Sequence, residues 1–333
     1  MALTINTNIS SLIAQRNLNN ATNALNTSIE RMSTGYTINH ASDNAAGYSI
    51  SKMWVTQLGS IDVASDNAAT GADMLTTAEE NYGLLTSHLQ RIRDLTEQAS
   101  NGTYGSSSLK AIHSEIVARL NEINRISANV EFNGIKLMDG TGVGTGGLNI
   151  QVGLYADSNS RINLSSSLFA SANLTGLFTS MAGTQSPGTK TLSELLTGAK
   201  SGATVADLKA DANQSIEAFA AVCSGLKYNS DGSMVLQQTE KYEPIQMLGF
   251  IDSALDDISG RVTKIGASQN RISSAVSSLD VQSQNITSSL STLRDTDIAK
   301  ESSNYIQAQI LQQASATLLS TANQLPSVAL NLI

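Results

Sequence analysis

The sequence predicts a mainly α-helical protein: a long antiparallel helical rod with a terminal coiled coil, one β-hairpin, and a small α+β variable module at the tip. Apolar residues repeat every seven positions over long stretches near both ends of the chain, and only three prolines interrupt 333 residues. A sustained heptad is typical of long packed helices, and proline breaks helices. Because the two ends look alike and the stretch without heptads lies between them, the chain is expected to fold back on itself.

The first helix is predicted from residue 11 to about residue 33. Leu18, Leu25 and Met32 are spaced seven apart, with Ala21 and Ile29 beside them. Few charged side chains occur here, so the helix is expected to lie against other protein on most sides.

Two further helices follow a linker over residues 33–47 that is rich in turn-forming residues. The second helix is predicted from about 46 to 100 and carries an unbroken heptad series: Trp54, Ile61, Ala68, Leu75, Tyr82 and Leu89. The third is predicted from 109 to about 128, with one apolar face: Ile112, Ile116, Leu120 and Ile123. The sustained heptad of the second helix favours coiled-coil-like packing.

Strand and turn signals come next. The Asn133–Gly134 pair predicts a reverse turn, and residues 148–153 with 161–164 predict a β-hairpin. The segment 168–242 lacks heptads and is predicted to be a separate module. Within it we expect a turn at 186–188, helices at 191–199 and 205–226, and a turn with a short strand pair at 228–236.

The helical pattern resumes near Pro244. A second heptad series contains Ile272, Leu279, Ile286 and Leu293, and the polar run 294–297 predicts either a helix boundary or a change of packing partner. Residues 302–333 contain no charged side chain and have apolar residues at helical spacing: Ile306, Ile310, Leu311, Ala314, Leu318, Ala322 and Leu325. The many amides in this helix argue against a membrane span.

Composition excludes several functions. The formal net charge is -8 and no basic patch appears, which argues against nucleic acid as a partner. Cys223 is the only cysteine, so no intramolecular disulfide or multi-cysteine metal site is expected, and it lies in an apolar run typical of a core. From the cysteine content and the absence of a signal-peptide pattern, a cytosolic location is the first expectation.

No cofactor, metal or catalytic site is predicted. The Gly142-x-Gly144-x-x-Gly147 pattern precedes a strand, whereas a dinucleotide fingerprint links a strand to a helix. The three histidines, His40, His88 and His113, are isolated and form no His-Glu-x-x-His motif.

The two ends of the chain resemble bacterial flagellins, the subunits of the flagellar filament. The matching stretches are 5–8 (INTN), 29–35 (IERMSTG), 38–39 (IN), 43–47 (DNAAG), 89–95 (LQRIRDL), 119–123 (RLNEI), 132–134 (FNG), 309–314 (QILQQA) and 322–326 (ANQLP). They are collinear and span about the first 165 and last 95 residues.

The resemblance implies three domains: residues 1–45 with 294–333 as an inner coiled coil, 46–167 with 243–293 as a helical rod, and 168–242 as a variable outer module. It implies a homo-polymer, exported unfolded by the flagellar type III apparatus, and so replaces the cytosolic expectation with the extracellular flagellum. An export chaperone, a cap protein and hook-junction proteins are the implied partners. No membrane partner is expected.

The resemblance also implies residue roles. The inner coiled coil is expected to use Leu18, Leu25, Met32, Ile306, Ile310, Leu311, Leu318 and Leu325. Arg91, Leu95, Gln98 and Glu115 match the positions through which a vertebrate Toll-like receptor binds flagellins, which are also expected to be subunit contacts. Thr96 and Glu97 stand where the familiar motif is apolar.

Three alternatives remain open at this point. A hook–filament junction protein has related ends. The middle module could display an enzyme, although no catalytic constellation is recognisable in it. The third is a monomeric ligand of innate immunity. The preferred interpretation is a non-enzymatic structural subunit that serves swimming motility.

Overall fold

The computed structural model describes residues 8–179, 212–228, 234–236 and 243–331, and it confirms the mainly α-helical prediction. The helices are α1 (Ile9–Thr34), α2 (Ala45–Ser100), α3 (Ser106–Asn129), α4 (Leu174–Thr179), α5 (Ala212–Ser224), α6 (Glu243–Arg294) and α7 (Ile298–Asn331). The chain forms two compact units, Met1–Asp62 with Asp280–Ile333, and Val63–Leu279. The division into three domains stays a prediction.

Three antiparallel strand pairs accompany the helices in the described residues. β1 (Glu131–Phe132) pairs with β2 (Ile135–Lys136), β3 (Leu148–Gln151) with β4 (Arg161–Leu164), and β5 (Leu226–Tyr228) with β6 (Met234–Leu236). The predicted hairpin is therefore confirmed, with Leu148 opposite Leu164 and Gln151 opposite Arg161.

The reverse turn at Asn133–Gly134 is confirmed as well. Asn133 has φ 48° and Gly134 has φ 79°, the left-handed backbone that a two-residue hairpin turn needs. The β1–β2 pair that flanks this turn was not predicted, because two-residue strands leave no periodic signal.

The unit Val63–Leu279 is built around the predicted heptad series of α2. Ala68, Leu75, Tyr82 and Leu89 are fully buried there. The predicted apolar face of α3 is buried too: Ile112, Ile116, Leu120 and Ile123. The core also includes residues from the hairpin and from α5 and α6, such as Ile150, Ile162, Phe219 and Ile258.

Gly71 lies on α2 three residues after the buried Ala68, and the packing explains why it has no side chain. A Cβ at this position would collide with Cδ1 of Ile150, which is a buried residue of β3. The missing side chain therefore lets the hairpin lie directly against α2.

A buried arginine joins three segments of this unit. The side chain of Arg261 is 8% exposed and donates to Ala170 O at 2.6 Å and to the Asp257 carboxylate at 2.7 Å. Tyr82, beneath its guanidinium, donates its hydroxyl to Leu168 O at 2.7 Å. Burial raises the pKa of Tyr82, opposed by the nearby Arg261 charge. These bonds fasten the irregular segment after β4 to two long helices.

Several predicted boundaries can be compared with the structure. α6 ends at Arg294 and α7 begins at Ile298, which confirms the boundary predicted at 294–297. The helix predicted over 205–226 is seen as α5 and ends at Ser224, because Gly225 has φ 68° and strand β5 follows. The turn at 186–188 and the helix at 191–199 lie outside the described residues. Among those that are described, no helix is long and apolar enough to cross a membrane.

Candidate assembly and recognition surfaces

Helices α1 and α7 form an antiparallel pair in the unit that contains the chain ends. Asn8 donates through Nδ2 to Ala322 O at 2.7 Å, and Gln312 donates through Nε2 to Thr22 Oγ1 at 3.1 Å. The start of α1 thus meets the far part of α7. Asn8 also caps α1, since its side chain accepts a hydrogen bond from Ser11 N at 3.0 Å.

Small residues form the seam of the pair. The buried positions recur every seven residues on both helices: Ala14, Ala21 and Ser28 on α1, and Ala308, Ser315 and Ala322 on α7. Small side chains at heptad spacing let two helix backbones approach closely. The sequence analysis named Ala21 and Ala322 but assigned the coiled coil to the large residues, although the seven-residue spacing of alanine and serine indicates the seam.

The residues predicted for the inner coiled coil divide into two groups. Leu18, Leu25 and Met32 are half-buried, on the α1 side of the seam. The members on α7 lie outside the seam and are largely exposed: Ile306 51%, Ile310 60%, Leu311 51% and Leu318 62%. The side chain of Leu325 lies outside the described part. The prediction that this set forms the inner coiled coil of a filament is a statement about neighbouring subunits and stays a prediction.

A groove of about 770 Å³ runs along the seam and is lined by its residues Ala21, Ser28, Ala308 and Ser315. Its apolar walls come from Ala24 of α1 and from Leu311, Ala314 and Leu318 of α7, and Arg31 lines it too. Two of the exposed α7 leucines therefore line a concavity wide enough to receive side chains from outside the chain.

The junction between α6 and α7 is tied to the end of α1. Thr37 N donates to Arg294 O at 2.6 Å, and Thr296 N donates to Gly35 O at 2.9 Å. Asp43 accepts from the backbone N–H groups of His40 and Asn39, which lower the pKa of its carboxyl group. The predicted linker is thus an ordered, hydrogen-bonded segment.

Of the four predicted receptor residues, Arg91, Gln98 and Glu115 reach the surface of α2 and α3, and Leu95 does not. Arg91 and Glu115 form a two-pronged ion pair, with Nε–Oε1 at 2.8 Å and Nη2–Oε2 at 3.3 Å. The hydrogen bond from Arg91 lowers the pKa of Glu115 against the opposing effect of desolvation. Gln98 is exposed and donates to the Tyr104 hydroxyl at 2.8 Å.

The burial of Leu95 disagrees with its prediction as a contact residue. It is only 2% exposed and belongs to the hydrophobic core, with Ile92 and Ala99 on the same buried stripe of α2. It therefore cannot offer a contact surface in this fold. Leu95 is four residues after Arg91 and three before Gln98, so the three side chains are neighbours on α2. Leu95 lies at the edge of this group that faces the core.

The residues tested for chemistry have structural partners. His40 Nε2 lies 2.7 Å from Glu30 Oε1, and burial lowers the pKa of His113, which lies 3.6 Å from Glu217 Oε2. Cys223 is fully buried, as expected for a core residue, and burial raises its pKa to about 12. Among the described residues, no group of three or more His, Cys, Asp or Glu could hold a metal ion.

Comparisons with known proteins agree with the helical ends. The family described as "Bacterial flagellin N-terminal helical region" matches residues 5–142, and "Bacterial flagellin C-terminal helical region" matches residues 248–333. Flagellin B of Vibrio anguillarum is 33% identical over 384 aligned residues, and Polar flagellin F of Vibrio parahaemolyticus is 30% identical over 379; both alignments cover 100% of each chain. The solved structure of FliC from Burkholderia pseudomallei is 22% identical, with a TM-score of 0.38 over 60% of this chain and 99% of that one.

Proposed function

The chain belongs to the bacterial flagellin family, and we propose that it polymerises through the exposed apolar side chains of its α1–α7 pair. Flagellins are filament subunits, so the protein is a structural subunit of the flagellar filament, an extracellular appendage for swimming. One observation carries the proposed contact. Ile306, Ile310, Leu311 and Leu318 are each more than half exposed on a helix that has no charged residue after Glu301.

Exposure of this kind is costly in water. Complete burial of a leucine or isoleucine side chain contributes roughly 1.5–3 kcal/mol, so four half-exposed side chains leave several kcal/mol to be gained per subunit. Charged residues are depleted at the centres of protein interfaces, and α7 already lacks them there. A second copy of the chain supplies matching neutral helices, which makes self-association the natural way to cover this face.

The groove along the α1–α7 seam is a concave site for the proposed contact between subunits. Leu311 and Leu318 form part of its wall, so apolar side chains of a neighbouring subunit that enter it would meet these leucines. Ile306 and Ile310, which do not line the groove, offer a second apolar contact on the same helix. We assign the polymer contacts to these two groups and assign no catalytic activity to the chain.

We further propose that the subunit is exported unfolded through the flagellar type III apparatus, with a chaperone, a cap protein and hook-junction proteins as partners. Two features support this route. The small residues of the α1–α7 seam bury little apolar area, so the pair opens at low cost. Cys223, the sole cysteine, leaves the unfolded chain without an intramolecular cross-link.

Recognition by a vertebrate Toll-like receptor is the second function we propose. The exposed Arg91–Glu115 pair and Gln98 offer charged and polar contacts on the α2–α3 surface. A partner that meets this surface gains from the pre-ordered guanidinium, which the carboxylate already holds in place. The contact surface excludes Leu95, which the core already buries.

Filament assembly of purified variants tests the main proposal. We expect the double variant Leu311→Ser with Leu318→Ser to raise the critical concentration for polymerisation by about tenfold or more, since each tenfold step corresponds to about 1.4 kcal/mol. The matched control replaces the exposed neighbours Ala316 and Thr317 by serine. Equal critical concentrations for the two double variants, measured by sedimentation of seeded filaments, would overturn the assignment. Low abundance of the protein in sheared filaments would instead favour a hook–filament junction protein.

A further inference from the structure

Two Asn-Gly sequences lie in exposed turns of this protein, and they have different backbone geometry. Asn101–Gly102 lies in the turn between α2 and α3, and Asn133–Gly134 forms the β1–β2 hairpin turn. Asparagine followed by glycine is the sequence most prone to spontaneous deamidation, because glycine has no Cβ to shield its backbone nitrogen. The reaction still requires that nitrogen to reach the side-chain amide carbon of the asparagine.

At Asn101 the side chain is folded over the backbone that follows it. Its Oδ1 accepts a hydrogen bond from Thr103 N at 3.3 Å, and its backbone O accepts one from Tyr104 N at 3.5 Å. The first bond keeps the side chain folded over the Gly102–Thr103 peptide and polarises its amide carbonyl. Asn101, Gly102 and Thr103 are all exposed, so water can reach the turn.

At Asn133 the backbone holds the two groups apart. Its φ of 48° is in the left-handed region, where ψ is also positive. This combination turns the Gly134 nitrogen to the side of the Cα–C bond opposite Cβ. The pairing of Phe132 with Ile135 and the 2.8 Å ion pair between Lys136 and Glu131 hold the turn in this conformation.

We propose that Asn101 is a site of spontaneous deamidation in the folded protein and that the hairpin protects Asn133 from the same reaction. The Gly102 nitrogen gives up its proton and attacks Cγ of Asn101, a C–N bond forms, and the amide nitrogen leaves as ammonia. Water then opens the resulting cyclic imide at either carbonyl. The products are aspartate and isoaspartate, the latter with the main chain rerouted through the side chain.

The product changes the α2–α3 turn in two ways. It adds a negative charge three residues after the exposed Gln98, and the isoaspartate form lengthens the main chain by one carbon. Both changes fall beside the Gln98–Tyr104 hydrogen bond. Deamidation therefore changes the charge and the backbone of the α2–α3 turn as a subunit ages.

Incubation of the full-length monomer at mildly alkaline pH, followed by tryptic peptide mass spectrometry, tests the proposal. Cleavage after Arg93 and Lys110 isolates Asn101, and cleavage after Arg125 and Lys136 isolates Asn133 in a separate peptide. We expect the first peptide to gain the mass of an amide-to-acid exchange several times faster than the second. Labelling by a protein isoaspartyl methyltransferase should follow the same order.

Two controls isolate the geometry. In the chain denatured with urea, the two sites should react at similar rates, because the turns that distinguish them are gone. Gly102→Ala should slow the reaction at residue 101 in the folded protein and leave Asn133 unchanged. The proposal is overturned if Asn133 reacts as fast as Asn101 in the folded chain, or if Asn101 stays intact while the denatured chain deamidates.

Discussion

The guanidinium carbon of Arg294 lies 3.7 Å from the centroid of the Tyr36 ring. Both residues belong to the unit that contains the chain ends. Tyr36 lies just after α1, and Arg294 is the last residue of α6. Stacking of a cation on an aromatic face contributes about 0.5–2 kcal/mol, depending on how far water is excluded. The contact therefore adds side-chain stabilisation where the backbone bridge joins Tyr36 to Asp295.

Removal of this ring should loosen the bridge locally. We expect Tyr36→Leu to cost about 1 kcal/mol and so to raise the exchange rate of the Thr37 and Thr296 amide protons roughly fivefold. Hydrogen exchange monitored by NMR or mass spectrometry measures this effect. Tyr36→Phe keeps the ring and should exchange at the native rate. Equal exchange in the leucine and phenylalanine variants would show that the stack contributes nothing.

The small-residue seam should reject a large side chain. Ala308 is 4% exposed on α7, so Ala308→Leu should overpack the α1–α7 contact and destabilise the pair by about 1–3 kcal/mol. Ala316→Leu places the same side chain on the exposed side of the same helix and should be nearly neutral, because alanine and leucine have similar helix propensities. Hydrogen exchange of the α1 amides gives the comparison. A more protected α1 in Ala308→Leu would contradict the close-packed seam.

Arg261 should contribute more to the free energy of unfolding than Tyr82, whose ring lies beneath its guanidinium. Arg261→Met leaves the Ala170 carbonyl and the Asp257 carboxylate without their donor, and we expect a loss of about 2–3 kcal/mol in the free energy of unfolding. Tyr82→Phe removes the hydrogen bond to Leu168 O and the long one, 3.5 Å, that the hydroxyl accepts from Arg261 Nη1, and should cost about 1 kcal/mol. Urea unfolding followed by circular dichroism ranks the two variants, and a reversed ranking would refute the anchoring role of Arg261.

Cys223 should make stability fall at high pH. Burial raises the pKa of its thiol from 9.0 to about 12, so above pH 9 the unfolded chain loses a proton that the folded chain keeps. Below pH 9 the thiol is protonated in both states and does not change the free energy of unfolding with pH. As pH rises from 9 towards 12, the free energy of unfolding falls by up to roughly a kcal/mol per pH unit. Cys223→Ala should flatten this slope relative to the native chain, whatever its own stability. Parallel slopes in urea unfolding between pH 9 and 11 would contradict the prediction.

A charge on the exposed side of α7 should hinder filament growth. Gln313 is exposed, and we propose that this neutral side of α7 faces the path along which unfolded subunits reach the growing end of the filament. Gln313→Lys introduces an ionic site that can hold the acidic side chains of a passing chain, so filaments on cells should lengthen more slowly. Gln313→Asn keeps the side chain neutral and serves as the control. Fluorescence microscopy of growing filaments measures the rate, and equal growth of the two variants would count against the role of neutrality.

The sequence was informative where a side-chain period persisted. The heptad from Ala68 to Leu89 and the face of α3 predicted buried positions correctly, because a repeat sustained over many turns leaves one geometric solution. On α7 the same reasoning selected Ile306 and Ile310 by size, although the seam uses Ala308 and Ser315. Hydrophobicity identifies side chains that are favoured in buried positions. It does not indicate whether the same chain or another copy buries them.

Leu95 shows a different limit. A spacing of four and seven residues places side chains near one another on a helix, but the direction of that face relative to the core depends on neighbours far away in sequence. The Arg91–Glu115 pair had no local signal either, since its partners are 24 residues apart on different helices. Tertiary contacts of this kind become visible only when the helices are placed.

The spacing of Ala14, Ala21 and Ser28 has an evolutionary consequence. These residues and their counterparts on α7 determine how α1 and α7 meet, while the large exposed residues lie outside the seam. Lineages can therefore exchange isoleucine, leucine and methionine on the outer faces, and so retune the fit between subunits, without altering the helix pair itself. We expect substitution in this family to be slowest at the small seam positions and faster at the bulky ones around them.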